Sequence, residues 1–299
     1  MEKRRPSLQA RVVKTLLKIK PHTWARGSII EQRNRQEKLA RWALISNEVQ
    51  RNPVNFNGIP GELFRYPDST SGVILYLHGG AYALGSAEVH RSFLCRLAKA
   101  TRLEVLAINY RLAPEHPFPA ALDDAVDTYR WLLSENIPPE RIVIAGDSAG
   151  GGLALATIAA LRDSSDPLPA CVFCLSPWVD LTLSCKSIDT HAERDSILSR
   201  AVLSPYADFY AGDHKKDHPL ISPLFADLAG FPPLLIHVGS DEILFDEAHQ
   251  LADAARAAGV EVEIQTWEWM FHVFQIVPFL PEANQSLYQA AHFIKQYLG

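Results

Sequence analysis

The chain has 299 residues, of which 47% are hydrophobic and 21% charged. That balance belongs to a globular protein with a large core and excludes a disordered chain, a collagen-like repeat or a small disulfide scaffold. Lys and Arg number 29 against 34 Asp and Glu, a net charge of −5, so the chain as a whole has no electrostatic reason to bind nucleic acid or an anionic membrane.

The N-terminal stretch MEKRRPSLQARVVKTLLKIK begins like the basic region of a secretory signal. No uncharged apolar run and no small-residue cleavage site follow it. The longest uncharged stretch, 148–161, is too short to span a bilayer. The expectation is a soluble cytoplasmic protein without membrane insertion. Within 1–50, Val12, Val13, Leu16 and Leu17 recur at helical spacing, and Leu39, Trp42, Ala43 and Ile45 suggest a second helix. The Asn, Pro and Gly of 52–60 mark a break.

From residue 61 the texture changes. Apolar runs at 73–77, 105–109, 141–146, 170–175, 234–239 and 260–267 alternate with helical patterns at 91–100, 120–135, 150–163 and 246–258, the last ending at Gly259. Most runs are nearly continuous, as parallel strands covered on both faces require. The reading is a mostly parallel, doubly wound α/β sheet flanked by helices. The stretch of about 180–225 holds no strand pattern and one helical segment near 198–210; it reads as a cap insertion. Cys171 and Cys174 form a C-x-x-C inside an apolar run. With no second ligand pair and no helix start beside them, they read as buried strand residues, not a metal or redox site.

The run RIVIAG leads into Gly146-Asp147-Ser148-Ala149-Gly150 and then directly into an apolar helix. This is G-x-S-x-G in its strand–turn–helix setting. A serine at the tip of so tight a turn takes a strained backbone, and its neighbours two residues away have no room for a Cβ. The hydroxyl then stands exposed above the carboxyl edge of the sheet, but it needs a base to act as a nucleophile and donors to hold an oxyanion. The turn His78-Gly79-Gly80 follows the run VILYL; the amides of Gly79, Gly80 and Ala149 are the candidate donors. Asp241, just past LLIHVG, is the favoured acid. Asp246 is better placed to start the following helix, and Glu242 is a weaker rival. His272, in the loop after the last run, is the candidate base, because His237 lies within a strand and His249 and His292 within helices.

The segments HGGAYALG, YRLAPEHPFPAALDD, GDSAGG, SPW, GSDEIL and the terminal HVF, in this order over about 60–299, resemble the hormone-sensitive-lipase-like branch of the α/β-hydrolases. The resemblance implies an α/β-hydrolase fold with an N-terminal helical cap over 1–50 and a catalytic domain over 51–299. It also implies a carboxylesterase of short- to medium-chain acyl esters using no metal or organic cofactor, and a possible homodimer through the last strand and helix. Two positions depart from the branch's pattern: Ala81 stands where a third glycine is common, and Trp269 where a glycine is common. Tyr82, Trp178, Leu181, Leu203, Phe209, Trp269 and Phe274 are candidates for the substrate pocket. Lactone or amide hydrolysis by the same triad, a dehydratase-like use of the site, and a non-catalytic ligand receptor are the competing readings. The receptor reading is disfavoured because His272 is present.

Overall fold

In the computed structural model, which describes residues 6–19, 23–43 and 45–298, the six apolar runs lie side by side as parallel strands. The strands are β1 (Gln50–Phe56), β2 (Ile59–Arg65), β3 (Val73–Leu77), β4 (Glu104–Ile108), β5 (Ile142–Asp147), β6 (Cys171–Leu175), β7 (Leu234–Gly239) and β8 (Val262–Trp267). They form one sheet in the order β1-β2-β4-β3-β5-β6-β7-β8. Neighbours from β4 to β8 pair in parallel, and β2 runs antiparallel to both β4 and β1. This is the mostly parallel, doubly wound α/β sheet that the alternation of runs and helices predicts, and the α/β-hydrolase fold that the resemblance implies.

The stretch read as a break at 52–60 is instead the hairpin of β1 and β2. Its turn is Asn57-Gly58, both with positive φ (51° and 97°), the geometry for which Asn-Gly is favoured. β1 is mostly exposed and carries Pro53, which is tolerated at a sheet edge. Apolar continuity could not reveal a polar edge strand.

The helices are α1 (Leu8–Ile19), α2 (Ile29–Ala40), α3 (Ala87–Thr101), α4 (Ala120–Ser134), α5 (Ala149–Asp163), α6 (Ser187–Thr190), α7 (Arg200–Ala211), α8 (Phe245–Ala257) and α9 (Pro281–Tyr297). Strand side chains alternate between two faces. Leu75, Leu77, Ile142 and Ile144 pack with Leu122 of α4, Leu153 of α5 and Leu251 of α8. Ile74, Tyr76, Val143 and Ala145 pack with Phe93 and Leu97 of α3 and Leu287 and Phe293 of α9.

The second N-terminal helix lies upstream of the apolar residues that suggested it. A capping box between Ser28 and Glu31 starts α2, which stops at Ala40; Trp42 and Ala43 lie in a turn and Ile45 beyond it. Residues 1–5, 20–22 and 44 of the N-terminal segment, and the final residue, lie outside the described residues. The segment rests on the 180–225 insertion. Trp24 stacks on Tyr206 of α7 at 5.7 Å and its Nε1 donates to the Ile197 carbonyl at 2.8 Å. Arg33 of α2 donates to the Ala83 and Ala113 carbonyls and to Glu115.

Candidate active site

Ser148 joins β5 directly to α5 with φ 52° and ψ −122°, a strained conformation for a residue with a Cβ. The surroundings hold it there. Its amide donates to the Leu175 carbonyl of β6 at 2.8 Å, and its carbonyl accepts from the amides of Gly151, Gly152 and Trp178. A Cβ on Gly146 would strike the Gly150 carbonyl, and one on Gly150 would strike the Leu77 carbonyl. Both glycines are therefore demanded by close approach, as the motif predicts.

His272 follows β8 and is buried. Its Nδ1–H donates to Glu242 Oε2 at 2.8 Å, since an ionised carboxylate can only accept. That tautomer leaves Nε2 with the lone pair. Burial pushes the imidazole pKa down, but the hydrogen bond and charge of Glu242, with the charges of Asp195 and Asp147, outweigh it and raise the value above the ordinary 6.5. Glu242 is fully buried, and its other oxygen accepts from Ser176 Oγ at 2.7 Å and from the Gly239 amide at 2.5 Å.

The carboxylate facing the imidazole is thus Glu242, not Asp241. Asp241 forms an ion pair with Lys14 of α1, and its amide donates to the Met270 carbonyl. The turn after β7 sends consecutive side chains opposite ways, and the extra methylene of Glu242 lets it bond Gly239 while reaching His272. Asp246 lies in the first turn of α8 and accepts from the Ser187 amide at 2.8 Å, so its reading as a helix-start residue holds. His237 is buried in β7 with Nδ1 against Ser286 Oγ.

Gly79 is also reassigned. Its amide donates to Asp147 Oδ1 at 2.9 Å and is not free for an oxyanion. Among the described residues, no protein acceptor takes the amides of Gly80, Ala81 or Ala149. Asp147 ties this loop to the serine turn: it also accepts from Tyr76 Oη at 2.6 Å and pairs with His90. Burial pushes its pKa up, but His90, Tyr76 and the Gly79 amide prevail and bring it down to about 2. From the other side, Tyr110 Oη donates to the His78 carbonyl at 2.6 Å and its ring stacks on His78. A Cβ on Gly79 would meet the Asp147 carboxylate.

The proposed pocket residues do not form one wall. Tyr82 is buried and stacks on Tyr210 at 3.6 Å. Trp178, Leu181 and Leu203 share its core cluster, with Phe209 packed against it. Phe274 belongs to a separate cluster with Met270 and Phe271. Trp269 is exposed, with φ 67°, so its ring lies on the surface, against α1. That φ explains why glycine suits the position.

Ser176 is the functional candidate that the spacing of motifs did not identify. It follows Leu175, whose carbonyl holds the Ser148 amide, and its Oγ donates to Glu242 while accepting from the Val273 amide at 3.3 Å. It links the serine turn, the carboxylate and the histidine loop. The only sequence signal was its place at a strand's carboxyl end, in the segment SPW.

Residues 74–276 match the family model described as alpha/beta hydrolase fold. An acetyl-hydrolase of Streptomyces hygroscopicus is 47% identical over 227 residues, 76% of each chain. An esterase of Acinetobacter venetianus is 38% identical over 259 residues, 86% of each chain. A crystal structure of an esterase from the bacterial hormone-sensitive lipase family superposes with a TM-score of 0.94 at 38% identity, covering 99% of this chain and all of that one.

Proposed function

Taking as premise that the chain belongs to the alpha/beta hydrolase family, in its hormone-sensitive-lipase-like branch, and is a carboxylic ester hydrolase, we propose that Ser148, His272 and Glu242 are its catalytic triad and that short- to medium-chain acyl esters are its substrates. The observation that carries the reading is the His272–Glu242 hydrogen bond, 2.8 Å long and buried, on the sheet edge where Ser148 holds its strained turn.

Ser148 Oγ attacks the ester carbonyl as His272 Nε2 takes its proton, and the oxyanion forms facing the free amides of Gly80, Ala81 and Ala149. Glu242 keeps the proton on Nδ1 and stabilises the imidazolium. Collapse of the intermediate breaks the bond to the alcohol, which leaves with the proton from Nε2. Water, deprotonated by the same nitrogen, attacks the acyl-enzyme, and the acid departs as Ser148 recovers its proton. No step needs a metal or organic cofactor. The N-terminal helices and the 180–225 insertion serve as the cap over this edge, and Tyr82, Trp178, Leu203 and Phe209 are the apolar residues offered to the acyl chain. Support for ester chemistry comes from relatives named acetyl-hydrolase and esterase.

The test is hydrolysis of p-nitrophenyl esters from acetate to laurate by wild type and Ser148→Ala. A serine-dependent rate that peaks at short chains is expected. A rate that survives Ser148→Ala, or none on any ester by a folded wild type, would overturn the assignment.

A further inference from the structure

Helix α1 has two apolar faces, and the protein uses one. Ala10 is buried, and Val13 and Leu17 pack with it against Met270 and Phe271, next to His272. Ser7 fixes the start of the helix by donating to both oxygens of Glu282 in α9. The second face carries Leu8, Val12, Leu16 and Ile19, which are 71, 50, 61 and 66% exposed. At 100° per residue these four fall within one arc of about 80°. Arg11 and Lys18 lie together along one side of that arc, about 60° and 80° from Leu8, and neither is buried. Trp269, 57% exposed, closes a cleft of about 200 Å³ with Arg11, Lys14 and Lys18.

Charge distinguishes what would cover such a face. The first twenty residues carry seven Lys and Arg and one Glu, although the whole chain is acidic at −5. An exposed apolar arc with cations along one edge, beside an exposed indole, fits a helix lying in the headgroup region of a bilayer. The same cations select an anionic surface. We infer that α1 docks this protein on anionic lipid surfaces, lying in the interface plane with Leu8, Val12, Leu16 and Ile19 inserted. Among the described residues no helix is long and apolar enough to cross a membrane, so the contact is peripheral. Because the inner face of α1 packs on the segment leading to His272, docking sets the candidate active site next to the lipid. The inference stands independently of which ester is hydrolysed.

The test is co-sedimentation of the full chain with vesicles of phosphatidylcholine alone or with phosphatidylglycerol, alongside size-exclusion chromatography. Wild type is expected to bind only the phosphatidylglycerol vesicles and to be released by salt. Val12→Ser with Leu16→Ser, and separately Arg11→Glu with Lys18→Glu, are expected to weaken binding at least about tenfold, with turnover of a soluble ester unchanged as proof of folding. No vesicle binding by wild type, or equal binding by variants that still turn over the soluble ester, would overturn the inference. So would a wild-type dimer that the Val12/Leu16 variant dissolves without any vesicle binding, since that face would then belong to a second copy.

Discussion

Glu242 and Asp241 are adjacent in sequence but serve different partners: Glu242 Oε2 accepts from His272 Nδ1 at 2.8 Å, while Asp241 pairs with Lys14 of α1. Glu242→Gln should therefore lower kcat strongly, on the order of 10⁴-fold, as an amide that imposes the wrong tautomer does in a serine protease. Asp241→Asn removes a mostly buried ion pair that does not touch the imidazole and should change kcat little, with a stability loss of about 1–3 kcal/mol, between that of an exposed and a fully buried pair. Steady-state kinetics of the two variants decide between them; a larger loss in Asp241→Asn would reverse the assignment.

The pKa of His272 is raised above 6.5, because its bonds to Glu242 and the nearby charges outweigh burial. In the proposed mechanism His272 takes the Ser148 proton only when neutral, so the acid limb of kcat/KM should lie above pH 6.5, and replacing Glu242 by Gln should move it down. Stability runs the other way. A raised folded-state value means that the protonated His272 stabilises the fold fully below about 6.5, and that this contribution is lost as pH rises through the folded value. A kcat/KM profile and denaturant melts across pH 5–9 would expose the opposition; an acid limb below 6 would contradict it.

Asp147 and His90 form a buried pair that fastens the Gly79 loop to the serine turn. Asp147 is lowered from 3.8 to about 2, so its contribution is present above about 3.8 and lost as pH falls through about 2. His90 is raised above 6.5 by Asp147 against the effect of burial, so its contribution is complete below 6.5 and lost as pH rises through its folded value. Asp147→Asn should cost about 3–5 kcal/mol, the usual loss when one partner of a buried pair is removed. The difference from wild type should be largest between about pH 4 and 6.5. Urea melts at pH 3, 5.5 and 9 measure it, and a deficit independent of pH would place the effect elsewhere.

The sequence made the parallel sheet legible because both faces of β3 to β7 are covered, which forces continuous apolar runs. The hairpin of β1 and β2 was hidden because an exposed edge strand has no such constraint, and its clue was the Asn57-Gly58 pair. Ser148 and His272 were legible from their places after strands, since steric demand at Gly146 and Gly150 leaves a pattern. The choice between Asp241 and Glu242 was not, because sequence position does not say which way a side chain leaves a turn. The same limit applies to Gly79, whose amide looks as available as that of Gly80 until Asp147 is seen to occupy it.

Ala81 stands in the left-handed region, φ 53°, which glycine adopts more readily, and its amide is one of those left free beside the serine turn. A residue with a Cβ pays roughly 1–2 kcal/mol for that conformation, whereas glycine loses about 0.5–1 kcal/mol more backbone entropy on folding. Ala81→Gly should therefore be neutral to slightly stabilising, by up to about 1 kcal/mol, or about 2 °C in Tm for a chain of this size. The amide that would face the oxyanion is retained, so kcat/KM should stay within about tenfold of wild type. Calorimetry and p-nitrophenyl ester kinetics on the variant test both halves. A large loss of activity with unchanged Tm would mean that the Ala81 methyl itself shapes the site, through contact with the substrate or by fixing where the free amides point.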